Sequence, residues 1–167
     1  MLRTGKMLVT IASGGVLAAL ALVAPASAAT AKATPEACGT GYSRLYLQDP
    51  DGDDLGLTAE GAGNGVEVQN GTGDCWQFPA GGTTGEIYDG SNCVEFSESA
   101  GDITVMATCK GNPAEEWESY DYGSYTFESQ WALNNGYAGP WLTAEMPYAG
   151  SYVYLDGLDG DLSDWNA

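Results

Sequence analysis

"GLTAEGAGNGVEVQNGTGDCW" (Gly56 to Trp76) and "WLTAEMPYAGSYVYLDGLDGDLSDW" (Trp141 to Trp165) share one frame. Both carry LTAE, then a V-x-[VL] alternation, then a Trp. Between them, "NCVEFSESAGDITVMATCKGNPAEEW" (Asn92 to Trp117) has CVEF in the place of LTAE and ends on a Trp as well. Trp76, Trp117 and Trp165 stand 41 and 48 residues apart, which is the spacing of an internal repeat of one supersecondary unit. Each unit reads as an opening strand, a turn, an LTA- or CVE-like strand, a glycine-containing turn, a third strand, and a polar turn into the Trp.

Working outward, the mature chain breaks into twelve short alternating runs, from "RLYLQ" (44–48) to "DWNA" (164–167), each bounded by Gly, Asp, Asn, Ser or Pro. No dozen consecutive residues carry a 3.6-residue apolar stripe free of glycine clusters, so long helices are not expected. Three four-stranded units, each giving one Trp to a shared core, predict an all-β fold: a barrel with a hairpin cap and pseudo-threefold symmetry, the β-trefoil. The repeats are expected at about 38–80, 81–122 and 123–167.

Residues 1–28 have the layout of a secretory signal peptide. Arg3 and Lys6 form a basic start, Leu8 to Val23 an apolar run, and Ala26-Ser27-Ala28 a small-residue cleavage site. The run is interrupted by Thr10, Ser13, Gly14 and Gly15, so it is shorter than the roughly 18 apolar residues of a membrane span. Residues 29–37 read as a flexible lead-in to one domain over 38–167. Cys38, Cys75, Cys93 and Cys109 are an even set in an exported chain, which predicts two disulfides rather than a metal site and leaves three pairings open. After the leader, 3 Lys and Arg oppose 23 Asp and Glu, a formal charge of −20. Such a charge argues against nucleic acid or an anionic membrane as partner and favours solubility outside the cell. A monomer without cofactor is expected.

The middle unit resembles a repeat of the ricin B-type lectins, in which a Cys-Leu-Asp-Val strand, a second Cys and a Gln-x-Trp turn recur. Cys93, Cys109 and Trp117 match those positions. The resemblance implies a Cys93–Cys109 disulfide within the unit, a Cys38–Cys75 disulfide across the first unit, and carbohydrate binding. It also implies where a sugar would sit: on a carboxylate just after the first cysteine, an aromatic two residues before the second, and an Asn-Gln pair ahead of the Trp. Glu95 keeps the carboxylate. The aromatic position falls on Ala107 and the Asn-Gln pair on Ala114 and Glu115. Asp74, Glu115 and Ser163 stand where each Gln-x-Trp glutamine would be. The carboxylate positions of the first and third units fall on Thr58 and Thr143.

The expected ligand surface therefore moves to the third unit, where Tyr137, Trp141, Tyr148, Tyr152 and Tyr154 accompany Asn134, Asn135, Glu145 and Asp156. Alternation in "YVYL" sends Val153 and Leu155 to one face and Tyr152 and Tyr154 to the other. Rings outward, beside acids and amides, suit a shallow glycan site. The chosen ligand residues are Tyr148, Tyr152, Tyr154, Asp156, Trp141 and Glu95. "DPDGDDLGLTAE" puts Asp49, Asp51, Asp53 and Glu60 at EF-hand spacing, but Asp54 stands where the loop needs Gly and its flanks read as strands. Both this loop and "DGLDGDLSD", with Asp156, Asp159, Asp161 and Asp164, are read as solvated turns, and no metal is expected. The chain has no histidine, which removes Ser-His-Asp and Cys-His nucleophile activation. The expectation is a secreted, non-catalytic module binding an extracellular glycan. The alternative is a protein-binding module, such as a protease inhibitor, using "PAGGTTGE" or "ESYDYGSYTFESQ" with Tyr120, Tyr122 and Tyr125. A carboxylate-pair glycosidase is third.

Overall fold

The computed structural model describes residues 37–71, 73–97, 104–158 and 160–167. The expected signal peptide and nearly all of the lead-in lie outside the described residues. Twelve strands are present: β1 (Ser43–Arg44), β2 (Tyr46–Gln48), β3 (Asp54–Ala59), β4 (Val66–Asn70), β5 (Cys75–Trp76), β6 (Thr83–Gly85), β7 (Cys93–Phe96), β8 (Thr104–Ala107), β9 (Trp117–Asp121), β10 (Tyr125–Ser129), β11 (Trp141–Ala144) and β12 (Ser151–Asp156). Among the described residues helix is confined to single turns, α1 (Gln130–Asn134), α2 (Gly160–Ser163) and a 3-10 turn at Pro113–Glu115. "EIYD" is not a regular strand: β6 precedes it, and Tyr88 makes only isolated bridges to Gln77 and Cys93.

The pairing shows the threefold plan. In each unit the opening strand meets the Trp strand, at Ser43↔Trp76, Gly85↔Trp117 and Tyr125↔Trp165. Each Trp strand then meets the opening strand of the next unit, through Gln77↔Tyr88, Trp117↔Ser129 and Asn166↔Tyr46. The last of these returns to the first unit and closes a barrel, which leaves no open edge. The remaining strands form three hairpins in matching register: Leu57↔Val68, Val94↔Met106 and Leu142↔Leu155. The fold is an all-β trefoil.

The three tryptophans are fully buried and equivalent in bonding as well as position. Trp76 Nε1 donates to Leu57 O at 3.0 Å, Trp117 Nε1 to Val94 O at 2.9 Å, and Trp165 Nε1 to Leu142 O at 3.1 Å. Each indole thus fills the core and satisfies a carbonyl of its own unit's hairpin, since an unpaired buried carbonyl is costly. Leu45, Leu47, Leu57, Val68, Met106, Phe127 and Leu142 complete the centre at zero exposure. Two disulfides, Cys38–Cys75 and Cys93–Cys109, tie the first and middle units, as the family resemblance implied.

Candidate binding site

The hairpin register identifies equivalent positions in the three units. Thr58, Glu95 and Thr143 follow the three indole-bonded residues, so Glu95 alone carries a carboxylate there. Ala107 pairs with Cys93, and its equivalents, opposite Gly56 and Trp141, are Gln69 and Asp156. No unit therefore has a ring at the family's stacking position.

In the middle unit, Asn112 rather than Ala114 approaches Glu95, its Nδ2 lying 3.4 Å from Glu95 Oε2. Asn112 caps the 3-10 turn, accepting from Ala114 N–H at 2.8 Å, and Pro113 fixes the start of that turn. Glu115, fully buried, serves the scaffold. Its Oε2 accepts from the N–H groups of Lys110 and Gly111 at 2.9 Å each, and its Oε1 from Asn112 Nδ2 at 2.9 Å. In the first unit, Asp74 Oδ2 likewise accepts from Ala59 N–H at 2.8 Å. At two of the three Gln-x-Trp positions, Glu115 and Asp74, the carboxylate thus braces neighbouring backbone.

The rings of the third unit divide. Tyr137 belongs to the wall of the core, packing on Phe96 and Trp131 with centroids 5.3 and 5.7 Å away. Val153 and Leu155 point inward, Tyr152 is exposed and Tyr154 half-buried, with its hydroxyl donating to Asp156 Oδ2 at 3.0 Å. Trp141, half-buried, faces Asp156 across the β11–β12 pair. Tyr148 is exposed at the turn before β12, and no ring packs on Tyr148 or Tyr152 among the described residues. Glu95 lies on the β7–β8 hairpin, whereas Trp141, Tyr152, Tyr154 and Asp156 share the β11–β12 hairpin and Tyr148 the turn before β12.

What the sequence reading missed is the partner of Trp141. Glu118↔Glu128, Glu128↔Trp141 and Trp141↔Asp156 are direct cross-strand pairs, so β9, β10, β11 and β12 present Glu118, Glu128, Trp141 and Asp156 as one row. One step along, Tyr120 packs on Trp141 with ring centroids 5.6 Å apart, and Tyr122 stacks on Tyr120 at 6.4 Å and 12°. The tight turn after β9, where Gly123 takes φ 104° and its N–H donates to Asp121 Oδ1 at 3.1 Å, lifts Tyr122 into solvent at 86% exposure. Tyr125, grouped with these two by sequence, instead turns inward onto Phe78, at 5.0 Å.

These rings border a depression of about 490 Å³ lined also by Glu128, Leu158 and Asp164. Tyr120 donates its hydroxyl to Glu128 Oε2 at 3.2 Å, and Gln130 Nε2 donates to Glu118 Oε2 at 3.1 Å. The Tyr120 hydroxyl is pushed up from 10.0 to about 12, first by burial and then by the charges of Glu128 and Glu118, with the hydrogen bond to Glu128 holding the proton. Its neutral form is thereby fixed as a donor.

The acidic loops take a different form. Asp49 Oδ1 accepts from Asp51 and Asp53 N–H at 2.9 and 2.8 Å, which closes the loop on its own first aspartate. Asp49 lies with Asp161 and Asp164 along a groove of about 480 Å³. Among the described residues, the one group of three ligand atoms close enough to share a metal is Glu86, Cys93 and Cys109, and both sulfurs are spent on their disulfide. No helix among the described residues is long and apolar enough to cross a membrane.

No family model and no curated protein matches the chain. Among solved structures it is similar to the designed 3-fold symmetric protein ThreeFoil, at 17% identity and a TM-score of 0.57, over 75% of this chain and 96% of that one. The shared fold is a β-trefoil with threefold symmetry. The chain is also similar to a mosquitocidal holotoxin, at 13% identity and a TM-score of 0.55, over 74% of this chain but only 17% of the toxin chain. A third similar structure is the Haemophilus ducreyi cytolethal distending toxin, at 18% identity and a TM-score of 0.51, covering 79% of this chain and 87% of that chain.

Proposed function

We propose that the mature domain is a secreted, non-catalytic module that binds extracellular carbohydrate on the outer face where its middle and third units meet. The observation carrying this reading is the continuous aromatic surface of Tyr122, Tyr120 and Trp141, flanked by Glu128 and Asp156. Pyranose rings present an apolar face that stacks on aromatic rings, while their hydroxyls need acceptors at the edge. Tyr154 and Tyr152, which share a face of β12 with Asp156, extend this surface toward β4 through the Tyr152↔Glu67 pair. The leader and the two disulfides fit export.

A protein-binding reading draws on one observation. Gly82 N–H donates to Ser119 O at 2.6 Å, which sets the "PAGGTTGE" loop beside the Tyr120–Tyr122 strand. Both loops picked from sequence thus share one end of the barrel.

A glycan array probed with the wild-type domain and with Trp141→Ala separates these readings. Saccharide-specific signal lost in the variant supports carbohydrate binding. A blank array with capture of a defined protein partner overturns it, and hydrolysis of an arrayed saccharide would replace it with a glycosidase.

A further inference from the structure

Glu128 is 8% exposed, and its side chain lines the aromatic depression. Among the described residues its carboxylate accepts one hydrogen bond, from Tyr120 to Oε2, while Oε1 stays accessible from the depression, since the one buried side-chain atom without a partner is Ser119 Oγ. A half-enclosed carboxylate of this kind can still take a donor or a cation at its free oxygen. Asp164 lines the same depression, Glu118 stands directly across from Glu128, and no Lys or Arg lines it. Three rings around a carboxylate with a vacant oxygen make poor surroundings for another anion. They are good surroundings for a protonated amine, which is attracted by ring faces and donates up to three hydrogen bonds.

We infer that the ligand of this face is an amino sugar with a free, protonated amine, its ammonium seated between Tyr120, Tyr122 and Trp141 and donating to Glu128. The inference rests on the carbohydrate reading above and adds the charge of the sugar. A neutral or N-acetylated sugar could stack on the same rings, but it would leave Glu128 Oε1 without a charged partner. Tyr120, kept neutral, contributes its ring face and holds Oε2, which leaves Oε1 for the ligand. The mature chain's −20 charge would draw such a ligand in, and that attraction is screened by salt.

The test is calorimetric titration with glucosamine oligosaccharides carrying free amines, N-acetylglucosamine oligosaccharides of equal length, and oligolysine. The wild-type domain is compared with Glu128→Gln, which keeps size and an acceptor for Tyr120, and with Tyr122→Ala, whose ring lies outside the packed core. The expected result is at least about tenfold tighter binding of the free-amine oligosaccharide than of its acetylated counterpart. That preference is lost in Glu128→Gln, and binding is weakened in Tyr122→Ala. Equal binding of both saccharides, or a preference untouched by Glu128→Gln, overturns the amine assignment while leaving carbohydrate binding in place. Binding of oligolysine as strong as that of the amino oligosaccharide, equally unaffected by Glu128→Gln, reduces the effect to general attraction of cations and also overturns it. Binding of no saccharide removes both readings.

Discussion

Replacing Trp117 by Phe probes the bond on which each repeat is hung. The indole of Trp117 is fully buried and its Nε1 donates to Val94 O at 2.9 Å. Phenylalanine keeps an aromatic ring there but removes the donor, leaving a buried carbonyl with one acceptor site empty. The lost bond contributes about 1 kcal/mol net, and the smaller ring adds a partial cavity cost of about 1 kcal/mol, well below the 3–5 of a full Trp→Ala truncation. The expected destabilisation is about 2 kcal/mol, or a fall in Tm of about 8 °C for a domain of this size. Because Trp76 and Trp165 make the same bond to Leu57 O and Leu142 O, their Phe variants should match Trp117→Phe to within about 0.5 kcal/mol. Urea unfolding followed by circular dichroism reads the midpoint shift, with the slope unchanged. One silent tryptophan among the three would refute the equivalence of the units and the register built on it.

Three further outcomes follow. In an ultraviolet titration one tyrosine should ionise near pH 12, and Tyr120→Phe should abolish that late step. Because the folded value lies above the unfolded one, Tyr120 contributes stability that is whole below pH 10 and is lost as pH rises toward 12; a titration showing no late step contradicts the Tyr120–Glu128–Glu118 arrangement. Opening Cys38–Cys75 by paired Ser substitution should cost about 4 kcal/mol and opening Cys93–Cys109 about 3 kcal/mol, following loops of 37 and 16 residues; the reverse order in chemical unfolding would count against the loop-closure account. Glu115→Ala strands three N–H groups and the Asn112 amide, and should cost on the order of 3 kcal/mol, whereas exposed Glu145→Ala should lie within about 0.5 kcal/mol of wild type.

The repeat was legible because its markers are local and strict. LTA, CVE and LTA fix the second strand of each unit, and a Trp that must bury its ring and bond a carbonyl leaves little freedom for the fourth. Val153 and Leu155 facing inward follows from period-two alternation alone. The disulfide pairing came through the family resemblance, not from spacing.

The candidate site was only half legible, for a physical reason. Alternation shows which residues share a face of one strand, but not which strands lie side by side or in what register. The row joining Glu118, Glu128, Trp141 and Asp156 depends on that register, so Tyr120 and Tyr122 were assigned by sequence to a separate loop, with Tyr125. Tyr137 and Trp141 are near in sequence, yet the segment before β11 sends Tyr137 against Phe96 and Trp141 outward. Asn112 escaped the motif alignment because the Pro113 turn displaces the residue that reaches Glu95.

Five tryptophans give five indole N–H signals, and the bonding separates them. Trp76, Trp117 and Trp165 are locked in the core, Trp131 packs on Phe96, and Trp141 lies half-buried on the outer face. Two-dimensional NMR during addition of an array-selected saccharide is the most direct test of a glycan surface where the middle and third units meet. The Trp141 indole should move in a saturable way while the three core indoles stay fixed. A saturable shift confined to residues around Glu95 and Asn112, or a bound saccharide that leaves Trp141 unmoved, would contradict it.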